Sequence, residues 1–330
     1  MARGIDTLIT DYLEYLEVER GRSELTIKNY DFYLRRFADW AKHPAPEKIT
    51  DDLVHKFRLW LNRAVEGREA ATLKKSTQNY HLIALRSFLK YLARKDIRSL
   101  APEKIELARQ EMRQVEFLEA DELDRLLAQP LGNPTQSPLR PDERPFGLVG
   151  NGGGRSLVAL RDKAILELLF STGMRVSELS KLKIENINLS RDEFTVRGKG
   201  GKLRVVFLSS TAKDALRDYL GKRRDPSPYL FVGHDRAKSR REQTGGLTPR
   251  SIQRLVERYA RAAGITKHIT PHTLRHTFAT DLLLGGADLR SVQSLLGHAS
   301  ITTTQIYTHI TNTQMKEVHK KFHGRWRRTE

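Results

Sequence analysis

The sequence contains no cysteine among its 330 residues. This absence excludes disulfide bonds, zinc sites built on thiolates and cysteine nucleophiles. Long apolar runs are missing as well, because no stretch approaches the roughly 20 residues that cross a bilayer. The first ten residues, MARGIDTLIT, lack the apolar segment of a signal peptide. We therefore predict a soluble, cytoplasmic protein with no membrane partner.

Acidic residues are too few to balance the basic ones. The chain has 58 Lys and Arg against 40 Asp and Glu, which gives a net charge of +18 and a pI near 10.1. This imbalance favours a polyanionic partner, and nucleic acid is the first candidate. The length and the 38% hydrophobic content are sufficient for one large domain or two ordinary ones.

The first hundred residues show the periodicity of a four-helix module. Apolar residues recur at helical spacing from Ile5, and Ser23 is positioned to cap a second helix. Thr50 begins a third helix, and a fourth is predicted from about Ser76. The fourth lies in the basic stretch LKKSTQNYHLIALRSFLKYLARK, for which contact with DNA and simple solvation are equally compatible with the charge pattern.

Two segments of the sequence are predicted to be irregular. Residues 101–116 are polar, begin with Ala-Pro and carry no apolar stripe, so they are interpreted as a linker. Residues 129–156 are dense in Pro, Gly and Asn and are interpreted as an insertion within the second domain. The predicted domains are residues 1–108 and 109–330.

The second domain mixes helices with a small sheet. The segment LVALRDKAILELLFSTG is predicted to be helical, and EFTVRGKGGKLRVVFL to be two short strands joined by the turn GKGGK. Further helices are predicted from about Thr248 onward. The expected fold class is mainly α with a small antiparallel β-sheet.

The segment HTLRHTFATD, residues 272–281, opens a helix that suits an anion. Thr270 is a favoured N-cap, and Pro271 is favoured at the first helical position. His272 and Arg275 then lie one turn apart at the positive end of the helix, where backbone N–H groups attract an anion.

Two other interpretations apply to this segment. A zinc site is disfavoured, because HExxH would require Glu where Thr273 stands and no carboxylate cluster lies nearby. A place in the core suits Leu274 and Phe278, and it also fits His276. A place in the core does not suit Arg275, because a buried arginine needs an anionic partner.

Three further stretches carry residues that, taken singly, have ordinary explanations. Arg175 follows a helix break at Thr172-Gly173, and with Glu178 it resembles a surface ion pair of little energetic value. Lys199 lies in the GKGGK turn, where a basic residue is usually just solvated. In LLGHASITTTQIYTHI, His298 follows a glycine helix stop, and Tyr307 lies on the next predicted helix.

The combination of these residues points to phosphoryl transfer without metal. Arginines hold non-bridging oxygens with paired hydrogen bonds, and cationic side chains neutralise the charge that Mg²⁺ would otherwise carry. A tyrosine can store the bond energy as an ester, and a lysine on a turn can protonate an alkoxide leaving group. No cofactor and no metal are expected.

The motifs TGMRVSEL, GKGGK, HTLRHTFAT and LLGHASITTTQIYTH, in this order, resemble the signature of the tyrosine recombinase (integrase) family, most closely its Xer-type members. The resemblance implies a helical core-binding domain followed by a mixed catalytic domain. The catalytic residues that it implies are Tyr307 as nucleophile, Arg175 and Arg275 as phosphate clamps, Lys199 as general acid, His272 as proton acceptor or orienter, and His298 as phosphate ligand. Glu178 matches the acidic residue that supports the site.

The implied function is site-specific recombination, in chromosome or plasmid dimer resolution, on double-stranded DNA with a specific site. The implied assembly is a homo- or hetero-tetramer on two duplexes, with a DNA translocase as an optional activator. An integrase of a phage or mobile element is the alternative, but it often carries an additional domain before helices that here begin near Met1. A type IB topoisomerase and a non-catalytic DNA-binding protein are the remaining alternatives.

The last residues, TNTQMKEVHKKFHGRWRRTE, are predicted to form a short helix. Met315, Val318 and Phe322 fall on a narrow apolar stripe. Packing on the chain's own domain explains such a stripe, whereas the resemblance implies docking on a neighbouring subunit.

Overall fold

The computed structural model describes residues 4–63, 65–66, 71–109, 116–132, 156–198, 201–234 and 245–297. The chain divides into two compact units, residues 1–112 and 113–330. None of the helices in these ranges is long and apolar enough to span a membrane.

Four α-helices make up most of the first unit, as the periodicity predicts. They are α1 (Ile5–Val18), α2 (Glu24–Trp40), α3 (Asp51–Arg63) and α4 (Lys75–Arg94). The Ser23 side chain caps α2 by accepting from the backbone N–H of Thr26. Between α3 and α4 lie two antiparallel strands of two residues each, β1 (Val65–Glu66) and β2 (Ala71–Thr72). The sequence did not predict them.

The core of the first unit is formed by one face of each helix, with the fully buried Tyr12, Phe37, Phe57 and Phe88 as its largest aromatic side chains. Burial of these rings, each with about 150–250 Å² of surface, stabilises the unit far more than the intrinsic preference of its helices does.

The prediction that residues 101–116 form a linker is wrong for the first part of this range. Pro102–Lys104 forms a 3-10 turn whose Pro102 is buried, and Ile105 belongs to the core of the first unit. The Asn79 side chain donates to the carbonyl of Ala108 at 2.8 Å and accepts from its N–H at 3.0 Å. One buried isoleucine and one amide therefore fix a segment that has no apolar stripe. Residues 110–115 lie outside the described residues.

The second unit contains seven described helices and a two-stranded sheet. The helices are α5 (Ala120–Ala128), α6 (Leu157–Thr172), α7 (Val176–Leu179), α8 (Ser210–Lys222), α9 (Pro249–Ala262), α10 (Pro271–Leu284) and α11 (Leu289–Leu296), and the strands are β3 (Glu193–Arg197) and β4 (Leu203–Phe207). The fold class predicted from the sequence, mainly α with a small antiparallel sheet, is confirmed.

Helix α6 lies at the centre of the second unit. Ser156 caps it, and buried residues occur on nearly every side of it. It packs against α8 and α10. A helix that is apolar all round is buried on all sides, and α6 accordingly anchors the elements that carry the candidate site.

The β3–β4 hairpin has the predicted antiparallel register, from Glu193↔Phe207 to Arg197↔Leu203. Phe194, Val196 and Val206 point into the core. Residues 199 and 200 of its turn lie outside the described residues. The predicted insertion begins with a packed 3-10 turn, Gln129–Leu131, whose Pro130 is buried, so its first residues are not irregular. Residues 133–155 lie outside the described ranges.

Candidate active site

Arg175 lies at the junction of α6 and α7. Helix α6 ends at Gly173, which adopts a left-handed conformation at φ +55°, and Arg175 is the N-cap residue of α7. The Glu178 carboxylate accepts from the Arg175 backbone N–H at 2.9 Å and from its Nη1 at 3.0 Å. The two side chains are 25% and 5% exposed, so this pair is not the solvated surface pair that the spacing alone suggested.

A second arginine, Arg204 on β4, shares the same carboxylate. Its Nη1 donates to Glu178 Oε2 at 2.9 Å, and its side chain is only 9% exposed. The sequence motifs did not point to this residue. A signal was present, because Arg204 pairs with the inward-facing Val196 and strand alternation places both on the buried face.

Glu178 is ionised at neutral pH. Burial raises its pKa, but the Arg175 backbone N–H and the two guanidinium groups outweigh burial, so the pKa lies below its ordinary value. One negative charge is thus shared by two positive ones. The cluster of Arg175, Glu178 and Arg204 keeps a net positive charge.

Helix α10 begins as predicted and carries the second predicted arginine. The Thr270 side chain caps the helix by accepting from the Thr273 N–H, and Pro271 is its first residue. Arg275 is 4% exposed. Its Nη1 donates to the carbonyl of Gly173 at 2.5 Å, and its Nη2 donates to the carbonyl of Leu296 at 2.6 Å. Two backbone carbonyls therefore accept hydrogen bonds from this buried cation.

His272 and His276 lie one turn apart on α10, with ring centroids 6.5 Å apart. His272 reaches the surface, and His276 is half-buried. Partial burial lowers the pKa of His272, and the charges of Arg275 and Arg175 lower it further. Burial, with His272 and Arg275, lowers the pKa of His276 to about 4. Both rings are therefore neutral at pH 7, and each has a nitrogen that can accept a proton.

The carboxyl end of α11 gathers all three arginines. The final carbonyls of a helix lack partners within the helix and carry partial negative charge, so they attract cations. The bonds run from Arg204 Nε to Leu295 O (3.1 Å), from Arg275 Nη2 to Leu296 O (2.6 Å) and from Arg175 Nη2 to Gly297 O (3.4 Å). Three consecutive carbonyls thus orient three guanidinium groups around one helix end.

Gly297 ends α11 in a left-handed conformation at φ +62°, as the predicted glycine stop requires. A side chain at this position would also meet Arg204, because an added Cβ would lie 2.7 Å from its Cδ. The next residue in the chain is the predicted site residue His298. The three carbonyls that bind the arginines therefore directly precede it in sequence.

The structure brings three of the six predicted site residues together, namely Arg175, His272 and Arg275. The other three, Lys199, His298 and Tyr307, lie outside the described residues. The backbone N–H of Gly198 donates to the carbonyl of Lys202 at 2.7 Å and closes the base of the turn that contains Lys199. Within the ranges that the structure describes, no group of three or more His, Asp or Glu side chains could hold a metal ion.

Comparison with known proteins identifies two family domains. Residues 155–314 match the phage integrase family, and residues 9–96 match the phage integrase N-terminal SAM-like domain. The first match covers every predicted site residue, and the second covers most of α1 and all of α2, α3 and α4.

Relatives match along nearly the whole chain. The tyrosine recombinase XerD of Listeria innocua serovar 6a is 36% identical over 97% of this chain and 100% of its own length. The tyrosine recombinase XerC of Pelobacter propionicus is 38% identical over 96% of this chain and 95% of its own.

The crystal structure of the XerH site-specific recombinase, bound to its palindromic difH substrate, shares the fold. It has a TM-score of 0.67 and 24% identity, over 91% of this chain and 80% of that one. The resemblance found in the motifs is confirmed, and the chain belongs to the tyrosine recombinase family.

Proposed function

We propose that this protein is a Xer-like site-specific recombinase that cuts and rejoins double-stranded DNA through a 3′-phosphotyrosyl bond to Tyr307. One observation carries the assignment of the site. Arg175 and Arg275, which come from different helices, both donate to the carboxyl end of α11, on the adjacent carbonyls of Gly297 and Leu296. Two guanidinium groups held side by side form a clamp for the non-bridging oxygens of one phosphate.

The proposed cleavage step transfers a phosphoryl group between two oxygens. The Tyr307 hydroxyl oxygen attacks the phosphorus and forms a new P–O bond, while the bond from phosphorus to the 5′-oxygen breaks. His272 takes the tyrosine proton, which its ring can accept because the lowered pKa keeps it neutral at pH 7. Lys199 gives a proton to the departing 5′-oxygen, and His298 binds the phosphate beside the two arginines.

The proposed rejoining step reverses these movements. The 5′-hydroxyl oxygen of a partner duplex attacks the phosphorus and Lys199 takes up its proton, while the bond from phosphorus to Tyr307 breaks and His272 returns a proton to the tyrosine oxygen. The ester conserves the bond energy, so neither ATP nor a metal ion is needed. The net positive charge of the Arg175, Glu178 and Arg204 cluster supplies the charge neutralisation that a cation would otherwise provide.

The proposed substrate is a specific double-stranded site, and the proposed assembly is a homo- or hetero-tetramer on two duplexes. The net charge of +18 supports a DNA partner, and the related XerH protein was crystallised on its difH substrate. We place the activity in the cytoplasm, in chromosome or plasmid dimer resolution, with a DNA translocase as an optional activator.

Trapping the covalent intermediate tests the proposal. A binding site recovered by selection from a random duplex library is nicked next to the scissile phosphate, so that the cleaved fragment diffuses away. Wild-type protein should form an adduct that survives a denaturing gel, in excess EDTA as well as without it. Tyr307→Phe should bind this duplex and form no adduct, because the packing of the ring survives while the nucleophilic oxygen is lost.

Tyr229→Phe is the matched control, because it removes a tyrosine hydroxyl from the same unit, and the Tyr229 carbonyl is bound by Arg223 rather than by an arginine of the site. It should form the adduct at the wild-type level. An adduct in Tyr307→Phe, or a requirement for a divalent ion, would overturn the proposal. Relaxation of supercoiled plasmids that lack the selected site would favour a type IB topoisomerase instead.

A further inference from the structure

Arg204 has no place in the catalytic set that the motifs predict, yet it contacts both Glu178 and the carboxyl end of α11. We propose that Arg204 is a positioning residue for DNA cleavage, which holds Glu178 and the Leu295–Gly297 turn in the arrangement that keeps Arg175 aimed at the phosphate. This inference rests on the proposed function.

Arg204 changes the net charge around the Glu178 carboxylate. The Glu178 carboxylate bonded to Arg175 alone would form a neutral pair, which attracts an anion weakly. Arg204 adds a second positive charge to the same carboxylate at 2.9 Å. The carboxylate can then orient Arg175 without cancelling its attraction for a phosphate.

Arg204 also holds two segments of the chain in a fixed geometry. Arg204 uses Nη1 for Glu178 and Nε for the carbonyl of Leu295, at 2.9 and 3.1 Å. Its aliphatic stem lies against Gly297, where an added Cβ would be 2.7 Å from Cδ. One rigid fork therefore joins the hairpin, whose turn contains Lys199, to the turn that precedes His298. A lysine ammonium is a single point charge and cannot reproduce both bonds in this geometry.

Arg204 Nη2 is buried and has no hydrogen-bond partner among the residues that the structure describes. A buried N–H group without a partner lowers stability. Burial of this nitrogen therefore offsets part of the stability that the two hydrogen bonds of Arg204 contribute.

Single-turnover adduct formation on the nicked duplex, at saturating protein, tests the proposal in the full-length chain. Arg204→Met keeps the stem over Gly297 but removes the charge and both hydrogen bonds. Misplacement of a reacting group by about 1 Å costs on the order of 100-fold in rate, and we expect a loss of that order. Arg204→Lys should recover part of the rate. Binding of the duplex should change little in both variants.

The pH dependence of the rate separates positioning from a loss of stability. Glu178 is faced by Arg175 from its own helical turn and by Arg204 from β4. Without Arg204 the carboxylate loses one of the cations that lower its pKa. The cleavage rate of Arg204→Met should therefore fall on acidification at a higher pH than the rate of the wild type. When Glu178→Gln is added to both chains, this difference between their pH profiles should disappear.

Two control variants complete the experiment. Arg217→Met removes an arginine from an exposed ion pair with Asp214 on α8, and it should retain the wild-type rate and pH profile. Leu216→Ala creates a cavity at a fully buried position of α8, and it should lower the melting temperature without displacing the pH profile.

The outcomes distinguish the inference from the function on which it rests. A wild-type rate and pH profile in Arg204→Met would overturn the role of Arg204 and leave the proposed function intact. A rate loss in Arg204→Met that Leu216→Ala reproduces, with no displacement of the pH profile, would also overturn it. The absence of any adduct in the wild type would overturn both.

Discussion

Gly173 lies directly against the ring of Phe278, and an added Cβ at Gly173 would be 2.3 Å from Phe278 Cδ1. The same glycine ends α6 at φ +55°, and its carbonyl accepts the hydrogen bond from Arg275 Nη1. One residue without a side chain thus sets the end of α6, the approach of α10 and the position of a predicted phosphate ligand.

We expect Gly173→Ala to lower both the free energy of unfolding and the cleavage rate. A left-handed conformation costs an alanine roughly 1–2 kcal/mol, and the overlap with Phe278 adds about 1–3 kcal/mol. Urea unfolding and adduct formation measure the two effects.

Gly264→Ala is the control for this prediction. Gly264 also has a positive φ, +70°, but nothing lies within 4 Å of an added Cβ. It should show only the conformational cost, about 1–2 kcal/mol, and keep the wild-type cleavage rate. Equal losses in the two variants would show that the contact with Phe278 is unimportant.

The sequence predicted the elements around Gly173 because the relevant signals are local. A glycine after an apolar helix, and Thr-Pro before another, mark helix ends through backbone conformation and capping. Arg175, His272 and Arg275 were identified because their motifs follow one another in the order that is typical of the tyrosine recombinase family. Phe278 was expected in the core, and it packs against the core cluster of Ala279, Leu283, Val292 and Leu296 while remaining half-buried.

Arg204 and the buried state of Glu178 could not be predicted in the same way. They depend on contacts between segments that are distant in sequence, β4 with α7 and β4 with the end of α11. Spacing alone describes Arg175 and Glu178 as an i,i+3 pair, and only tertiary packing makes that pair buried. The Asn79–Ala108 pairing was missed for the same reason.

Acid should destabilise the protein partly through His276. Burial, with the charges of His272 and Arg275, lowers the pKa of His276 to about 4 in the folded chain, from an ordinary value of 6.5. The unfolded chain therefore binds a proton that the folded chain does not, over the window from pH 6.5 down to pH 4. The free energy of unfolding should fall through that window as the pH falls, by at most about 1.4 kcal/mol per pH unit from this group.

The substitution His276→Gln tests this effect, because it removes the titrating group and keeps a polar side chain. The free energy of unfolding of the variant should depend less steeply on pH between 4 and 6.5 than that of the wild type. At higher pH the two dependences should run parallel. Identical slopes throughout would show that His276 does not contribute to the acid sensitivity.

Lys199 is predicted to protonate the departing 5′-oxygen. A substrate with sulfur in place of that oxygen should restore cleavage by Lys199→Ala, because a thiolate leaves without a proton. Arg175→Ala should gain little from the sulfur, since it lacks a phosphate ligand rather than an acid. Lys202→Ala, at the other end of the GKGGK turn, is the control for loss of a lysine from the turn. Cleavage rates of both substrates measure the rescue, and equal rescue of Lys199→Ala and Arg175→Ala would remove the acid role from Lys199.

The carboxyl-terminal segment is predicted to couple assembly to cleavage. It lies outside the described residues, and the prediction rests on the apolar stripe of Met315, Val318 and Phe322 a few residues after Tyr307. If this stripe docks on a neighbouring subunit, head-to-tail contacts can close a ring of four. Docking would then determine whether the nearby Tyr307 lies in position for cleavage.

A chain that ends at Asn312 should bind one copy of its site as the full chain does, because its phosphate ligands and first unit are intact. It should lose cooperative binding to two adjacent sites and lose strand exchange, since both need contacts between subunits. Gel-shift titration and a two-plasmid recombination assay measure the two properties. Substituting Asp for Val318 in the full chain should reproduce the truncation, because a charge on the stripe opposes its burial. Substituting Asp for the polar Thr313, the first residue that the truncation removes, should leave both properties unchanged. Full recombination with unchanged cooperativity in the truncated chain would show that the segment packs on its own subunit and does not link it to another.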